Sequence, residues 1–453
     1  MPRAPDWANV LPEALAQLKQ MIAFRTVNPP GAELPLARHL HDTLRGAGID
    51  SRLLEPAADR GAVVARLAAE RPRAGPLLLL AHMDVVGVES EHWTVDPFAG
   101  EVREGCIYGR GAIDDKGMLA TNLMAMLLTK RHVVDAGMPL SRDIIFVAAP
   151  DEEAGSRWGL EWLLEHHGEL LRAELALNEG GRIRVVNGRP LYAAVQTAEK
   201  VPHRLAVTAQ GTSGHAAVPH ADNPITRLGR ALAAIGAHRE PLHLVPTTRR
   251  FLEQVAPIWP SPETRAAMAD LTGGDEARVR RADDVLVDEP SLDALLRNGV
   301  SPTLVSGGVR DNVIPASATA VLDLRTLPGE SPERVVARLQ EAIGDPRVSI
   351  EITQRGRDAP ASDHGSPMFA AIAESLLELE PRLTVAPYMS TGATDSARLR
   401  SAGVETFGLL PFPLSPEDER RMHGHDERLP VASLAFGVQV TYGIVERIAV
   451  RDE

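Results

Sequence analysis

Three short runs constrain this chain more than anything else in it: Leu77-Leu-Leu-Leu-Ala81, Ile144-Ile-Phe-Val-Ala148 and Leu175-Ala-Leu177. Each is too short for a helix and too apolar for a strand with one solvated face. They read as strands buried on both faces, as in a mostly parallel sheet. Between the first two lies a helical stretch, 118–128, and between the second and third the run Trp158-Gly-Leu-Glu-Trp-Leu-Leu-Glu165 has apolar residues at helical spacing. The alternation is βαβ, and the expected class is α/β, a mostly parallel sheet flanked by helices.

The texture changes near Lys200. Residues 204–210 alternate apolar and polar, as an antiparallel strand with one wet face does. A helix is expected over 224–235, strands at Val313-Ile-Pro315 and Ala320–Arg325, and a helix over 332–343. The Pro- and charge-rich stretch 240–300 elaborates this α+β unit. After Arg357 the βα texture returns, with helix 367–378, strands 383–388 and 404–410, and helix 431–447. The domains are therefore expected as 1–200 and 356–453, two parts of one α/β domain, with 201–355 inserted between them. A chain of 453 residues has room for this, at ~150 residues per domain.

Charge and composition exclude some functions. Lys plus Arg total 48 and Asp plus Glu 61, a net charge of −13. That balance speaks against nucleic-acid partners and a polybasic membrane surface. No apolar run approaches the ~18 residues of a membrane span, and the opening residues lack the apolar core of a signal peptide. The single cysteine, Cys106, rules out an intrachain disulfide and a thiolate metal cage, and is most simply a buried small residue. The expected setting is cytoplasmic, with no membrane partner.

The polar residues sit where the apolar runs stop. The first run ends in His82-Met-Asp84, the second in Pro150-Asp-Glu152-Glu153, the third in Asn178-Glu179-Gly-Gly. In an open parallel sheet, ligands bind outside the carboxyl ends of the strands. Gly109-Arg-Gly-Ala-Ile-Asp114-Asp115-Lys-Gly adds a glycine-rich turn with two acids, and His423-Gly-His425-Asp426-Glu427 another imidazole. So many carboxylates cannot stay ionised together uncompensated, because each raises the others' pKa. Divalent cations are the simple compensation. With one His per metal and otherwise oxygen ligands, zinc fits best, and cobalt or manganese also suits.

Together these motifs resemble the two-zinc peptidase family of aminoacylase, carboxypeptidase S, carnosinase, glutamate carboxypeptidase, acetylornithine deacetylase and succinyl-diaminopimelate desuccinylase. The resemblance runs from about residue 10 to the C-terminus, and the long 240–300 stretch is nearest the carboxypeptidase S branch. It implies the two-zinc exopeptidase fold with an inserted lid domain. It further implies two divalent metal ions per chain: His82 and Glu179 on one, Glu153 and His423 on the other, Asp114 bridging. Asp84 would accept from the far nitrogen of His82. Glu152 would be the general base in attack by a metal-bridged hydroxide. A cis peptide would fall at Asp114–Asp115.

The inserted unit carries further matches. Gly211-Thr-Ser-Gly-His215 resembles the family's lid motif, which makes His215 the oxyanion donor, with His220 outside the pattern. Gly308-Val-Arg-Asp-Asn312 and Asp323-Leu-Arg325 imply that Arg325 grips a substrate carboxylate, ahead of Arg310, while Asn312 helps orient it. Ser390-Thr-Gly392-Ala-Thr-Asp395 resembles a substrate-binding glycine turn. Asn178 departs from the Asp common in aminoacylase-like members, at a position that is not a ligand. His425 reads as a surface or supporting residue, and Asp426-Glu427-Arg428 as a salt-bridging turn.

The implied activity is hydrolysis of an amide or peptide bond next to a free carboxylate, in a small N-acyl amino acid, dipeptide or peptide C-terminus. Two alternatives stand beside it: a non-catalytic scaffold on the same fold, and a two-metal phosphoesterase. The first would be expected to lose Glu152 or a ligand, and none is lost; the second lacks a phosphate-cradling basic cluster. The family often dimerises through the lid, so a homodimer is the implied assembly, unless 240–300 is the enlarged lid of a monomeric relative.

Overall fold

The computed structural model describes residues 5–450, and it divides into two compact units. The first comprises residues up to Thr197 with Ala361–Tyr388 and Thr394 onward, the second Ala198–Pro360 with Met389–Ala393.

The first unit is built on a mixed sheet. Ile144–Ala149, Leu77–His82, Leu175–Asn178 and Glu405–Gly408 lie side by side at its centre and run parallel. Antiparallel strands extend it on both sides: Ala62–Leu67 and Asp50–Leu54 on one, Arg189–Glu199 and Arg182–Val186 on the other. The reason the central runs are apolar throughout is visible in their packing. Leu77, Leu79 and Ala81 face one core with Phe146 and Ala148, while Leu78 and Leu80 face a second with Ile145, Val147, Leu160 and Leu163. Both faces are dry, so no position along the strand tolerates a polar side chain until the chain leaves the sheet. Each such leucine contributes ~1.5–3 kcal/mol. The helix Lys116–Thr129 is buried all round, packed against Val431–Ala449 and Trp7–Ala23, which matches its largely apolar sequence.

The second unit is a four-stranded antiparallel sheet in the order Gly299–Gly307, Ser317–Thr326, Val201–Gln210, Val348–Gln354. The helices Pro224–Ala237 and Pro332–Ile343 supply the apolar side chains that cover one face. Asp323 and Arg325 alternate with the buried Leu322 and Leu324 along Ser317–Thr326, so they lie on the opposite face. Four helices occupy 246–296: Pro246–Val255, Pro262–Gly273, Glu276–Leu286 and Pro290–Leu296. Among the described residues no helix is long and apolar enough to cross a membrane.

Candidate metal centre

The parallel strands deliver their terminal residues to one edge of the sheet, and the side chains converge there. His82, Asp114 and Glu153 can bring one ligand atom each within 4.8 Å of one another, and so can His82, Glu152 and Glu179. His423, from the other end of the chain, joins them: its Nε2 is 3.1 Å from Asp114 Oδ2 and 3.1 Å from Glu153 Oε1. The second oxygen of Asp114 lies 3.1 Å from His82 Nε2. Asp114 therefore stands between two imidazoles with one oxygen toward each. The peptide bond from Asp114 to Asp115 is cis.

The supporting contacts are specific. His82 Nδ1 has the Asp84 backbone carbonyl as its nearest acceptor at 2.9 Å, with Asp84 Oδ1 at 3.5 Å. The tautomer is thus held by the carbonyl rather than, as expected from sequence, chiefly by the carboxylate. The Asp84 carboxylate is engaged elsewhere. Its Oδ1 accepts from the backbone N–H of Glu152 at 3.0 Å and its Oδ2 from that of Glu153 at 3.1 Å. One buried acid so fixes the backbone of both neighbouring glutamates. Asp115 Oδ2 accepts from the His82 N–H at 3.2 Å.

Electrostatics agree with the crowding. Burial pushes the Glu152 and Glu179 carboxyls well above the ordinary range, and neighbouring acids add to it: Glu179 acts on Glu152, and Asp114 on Glu179. Burial would lower the His82 pKa, but the Asp114 and Asp84 carboxylates outweigh it and raise it well above normal. Hydrogen bonds to Asp114 and Glu153 push His423 up to about 10. The two imidazoles therefore sit where positive charge is favoured. Divalent cations at the same nitrogen and oxygen atoms would supply that charge, and the donor set suits two such ions. Glu153 Oε1 faces His423 Nε2 at 3.1 Å, so an ion held by both residues would take the place of that contact.

Several contacts at this edge were not read from sequence. Glu427 is fully buried; it pairs with Arg110 at 2.6 Å and accepts from the backbone N–H groups of Gly111, Ile113 and Asp114. Asp395 Oδ1 accepts from Ser156 Oγ at 2.5 Å, which ties the 390s loop to the loop carrying Glu152. Asn178 donates to Ser396 Oγ at 3.0 Å. The sequence marked Glu427 as part of a salt-bridging turn, Asp395 as the end of a glycine turn and Asn178 as a departure from the family pattern, but not their partners, because each partner is remote in the chain.

Comparison with known proteins now decides the family. Residues 78–447 match the profile described as Peptidase family M20/M25/M40. The chain belongs to this family. Probable carboxypeptidase S-like 2 of Dictyostelium discoideum is 29% identical over 382 residues, 82% of this chain and 71% of that protein. Human aminoacylase-1 is 28% identical over 438 residues, 95% and 94% of the two chains. Among solved structures, an M20 family metallo-carboxypeptidase, Sso-CP2 of Sulfolobus solfataricus, superposes with a TM-score of 0.70 at 18% identity, over 96% of this chain and 99% of that one. This M20/M25/M40 member is a hydrolytic enzyme of the metallopeptidase and amidohydrolase kind.

The remaining sequence-derived candidates lie in the second unit. His215 is exposed on a two-stranded ribbon, Gly214–His215 with Val313–Ile314, and the Asn312 carbonyl accepts from the Ala216 N–H beside it. His215 Nδ1 accepts from the backbone N–H of Ala217 at 3.0 Å. In the neutral ring that leaves the proton on Nε2. Arg325 Nε donates to both oxygens of Asp323 at 3.0 and 3.1 Å. Gly392 falls in the short segment Met389–Ala393 of the same unit.

Proposed function

We propose that this enzyme uses two divalent metal ions, zinc by preference, to hydrolyse an amide bond adjacent to a free carboxylate. The observation that carries the reading is Asp114, with one oxygen 3.1 Å from each of His82 Nε2 and His423 Nε2. A carboxylate so placed suits a bridge, with Glu179 completing one ligand set and Glu153 the other. Bound there, the ions would supply Lewis acidity and the activation of water at neutral pH.

The chain's own groups do the rest. Glu152, its backbone fixed by Asp84, takes the proton from the attacking water and returns it to the leaving amine. His215 donates from Nε2 to the oxyanion, a role that the Ala217 N–H on Nδ1 supports. Arg325 reads the substrate carboxylate, with Asn312 and the Gly392 turn orienting it. The Asp323 pair uses Nε and leaves both Nη groups for a bidentate contact. Relatives named as carboxypeptidase and aminoacylase favour small N-acyl amino acids and short peptides as substrates. A screen of N-acyl amino acids and dipeptides with the zinc-loaded enzyme, phosphodiesters alongside, tests the reading. Turnover of phosphodiesters alone would overturn it.

Assembly as a homodimer through the second unit is part of this proposal. Gly299–Gly307 is an edge strand, and it exposes Leu304 at 66% and Val305 at 67%. Such an edge is a template for pairing with another copy. Light scattering on the wild type and Leu304→Glu tests it; a monomeric wild type at high concentration sinks the assembly.

A further inference from the structure

We propose that Arg60, acting directly and through Asn28, is a positioning residue for the metal centre: it sets two buried carboxylates, Asp84, which holds the Glu152–Glu153 backbone, and Asp151, which holds the return of the same loop at Trp158. The inference rests on the two-metal reading above.

Arg60 is 8% exposed and lies far from the motif residues in sequence. Its guanidinium is used as a fork. NH1 is 2.9 Å from Asp151 Oδ1 and 2.9 Å from Glu33 Oε1, while NH2 donates to Asn28 Oδ1 at 3.0 Å and to the Pro30 carbonyl at 2.7 Å. Asn28 passes the constraint on. Its amide nitrogen donates to Asp84 Oδ2 at 2.8 Å and to Asp151 Oδ1 at 3.0 Å. The orientation of that amide follows from chemistry: a guanidinium only donates and ionised carboxylates only accept, so the oxygen must face Arg60 and the nitrogen the acids. Flipping it would set donor against donor and acceptor against acceptor.

Asp84 then holds the Glu152 and Glu153 N–H groups, as described, and Asp151 Oδ2 accepts from the Trp158 N–H at 2.9 Å. The loop bearing a candidate ligand and the candidate base is thereby pinned at both its start and its return. The surrounding chain is shaped to keep the guanidinium in place. Gly31 has φ +85°, and a Cβ there would come within 2.2 Å of Arg60 Cζ. Asn28 itself is fixed by its backbone N–H, which donates to the Val85 carbonyl at 2.9 Å. No ligand or base touches Arg60, so its effect on the centre is exerted through Asn28, Asp151 and Asp84. A lysine keeps the charge but has a single nitrogen and cannot reach all four acceptors at once.

The test compares the zinc-loaded wild type with Arg60→Lys and Asn28→Ala. Zinc affinity is read by competition with a chromogenic chelator, and coordination by the visible spectrum of the cobalt-substituted protein. Supporting groups behind metal ligands typically change affinity by about 10–100-fold. The expected result is a loss of that size, a changed cobalt spectrum, and kcat lowered at unchanged KM, while the metal-free proteins unfold within a few degrees of one another. Folded variants with zinc affinity within threefold of wild type and an unchanged cobalt spectrum would overturn the proposal. If Arg60→Lys does not fold, Asn28→Ala decides, since it leaves the Arg60–Glu33 pair intact. Failure of both to fold would assign the network to folding and equally overturn it. A wild type that binds no zinc would instead defeat the two-metal reading, and that outcome shows before any variant is made.

Discussion

Glu427 Oε1 accepts a hydrogen bond from the backbone N–H of Asp114 at 3.1 Å, across 313 positions of the chain. The same carboxylate pairs with Arg110 and takes two more N–H groups of the turn. The loop that presents the candidate bridging residue is thus shaped around a buried anion from the C-terminal segment.

Breaking a buried pair by removing one partner costs about 3–5 kcal/mol, because the other charge is left uncompensated. Glu427→Gln, which strips the charge beside Arg110, should lower stability by that order. Urea unfolding of the metal-free protein measures it. A loss below about 1 kcal/mol would mean that the pair contributes little.

Chelation should abolish hydrolysis, and zinc, cobalt or manganese should restore it. Elemental analysis should find close to two ions per chain at full activity. Full turnover by a demonstrably metal-free sample would contradict the assignment of His82, Asp114, Glu153, Glu179 and His423.

Glu152→Gln should keep both metals and lose most of the turnover, since a general base contributes about 10²–10⁴-fold. The backbone link to Asp84 is untouched by this change, so the loop stays in place. Survival of kcat within about threefold would move the base elsewhere.

Arg325→Ala should cripple hydrolysis of free-acid substrates without changing zinc content. Losing one partner of an enclosed charge pair costs about 2–5 kcal/mol, roughly 30-fold to several thousand-fold in kcat/KM. Amidation of the substrate carboxylate should cost the wild type a similar factor and the variant little. Independent, additive effects would show that Arg325 serves Asp323 alone and would shift the role to Arg310.

Glu240 makes the acid stability of the second unit testable. It is buried, and its carboxylate accepts from Arg338, Asn298 and His238 at 2.6–3.1 Å. Burial opposes its charge, but these donors win and hold its pKa below the usual value. A depressed carboxyl stabilises the fold fully above its unfolded pKa of ~4.3 and loses that contribution as pH falls through the folded value. Wild type should therefore exceed Glu240→Gln in thermal stability by a constant margin above pH ~5, and the margin should shrink in acid. A margin independent of pH would place the effect in packing.

What was legible in the sequence was local. The runs at 77–81, 144–148 and 175–177 announced buried strands because both faces of the sheet are dry, and their polar endings marked the edge where a site would lie. The ordered motifs around His82, Asp114, Glu152, Glu179 and His423 pointed to the family that the profile match then established. The antiparallel flanks of the main sheet were less legible, since short strands such as Arg182–Val186 carry no run of their own. Tertiary structure alone decided that the Asp84 carboxylate holds the Glu152 and Glu153 backbone while its carbonyl serves His82, and that Arg60 and Asn28 stand behind it. It also decided that Glu427 lies beneath Asp114. The physical reason is one of range: periodicity reports whether a side chain is wet or dry, which neighbours in sequence share. The partner of a buried charge is set instead by chain segments that meet only when the whole fold closes, and no local pattern encodes that meeting.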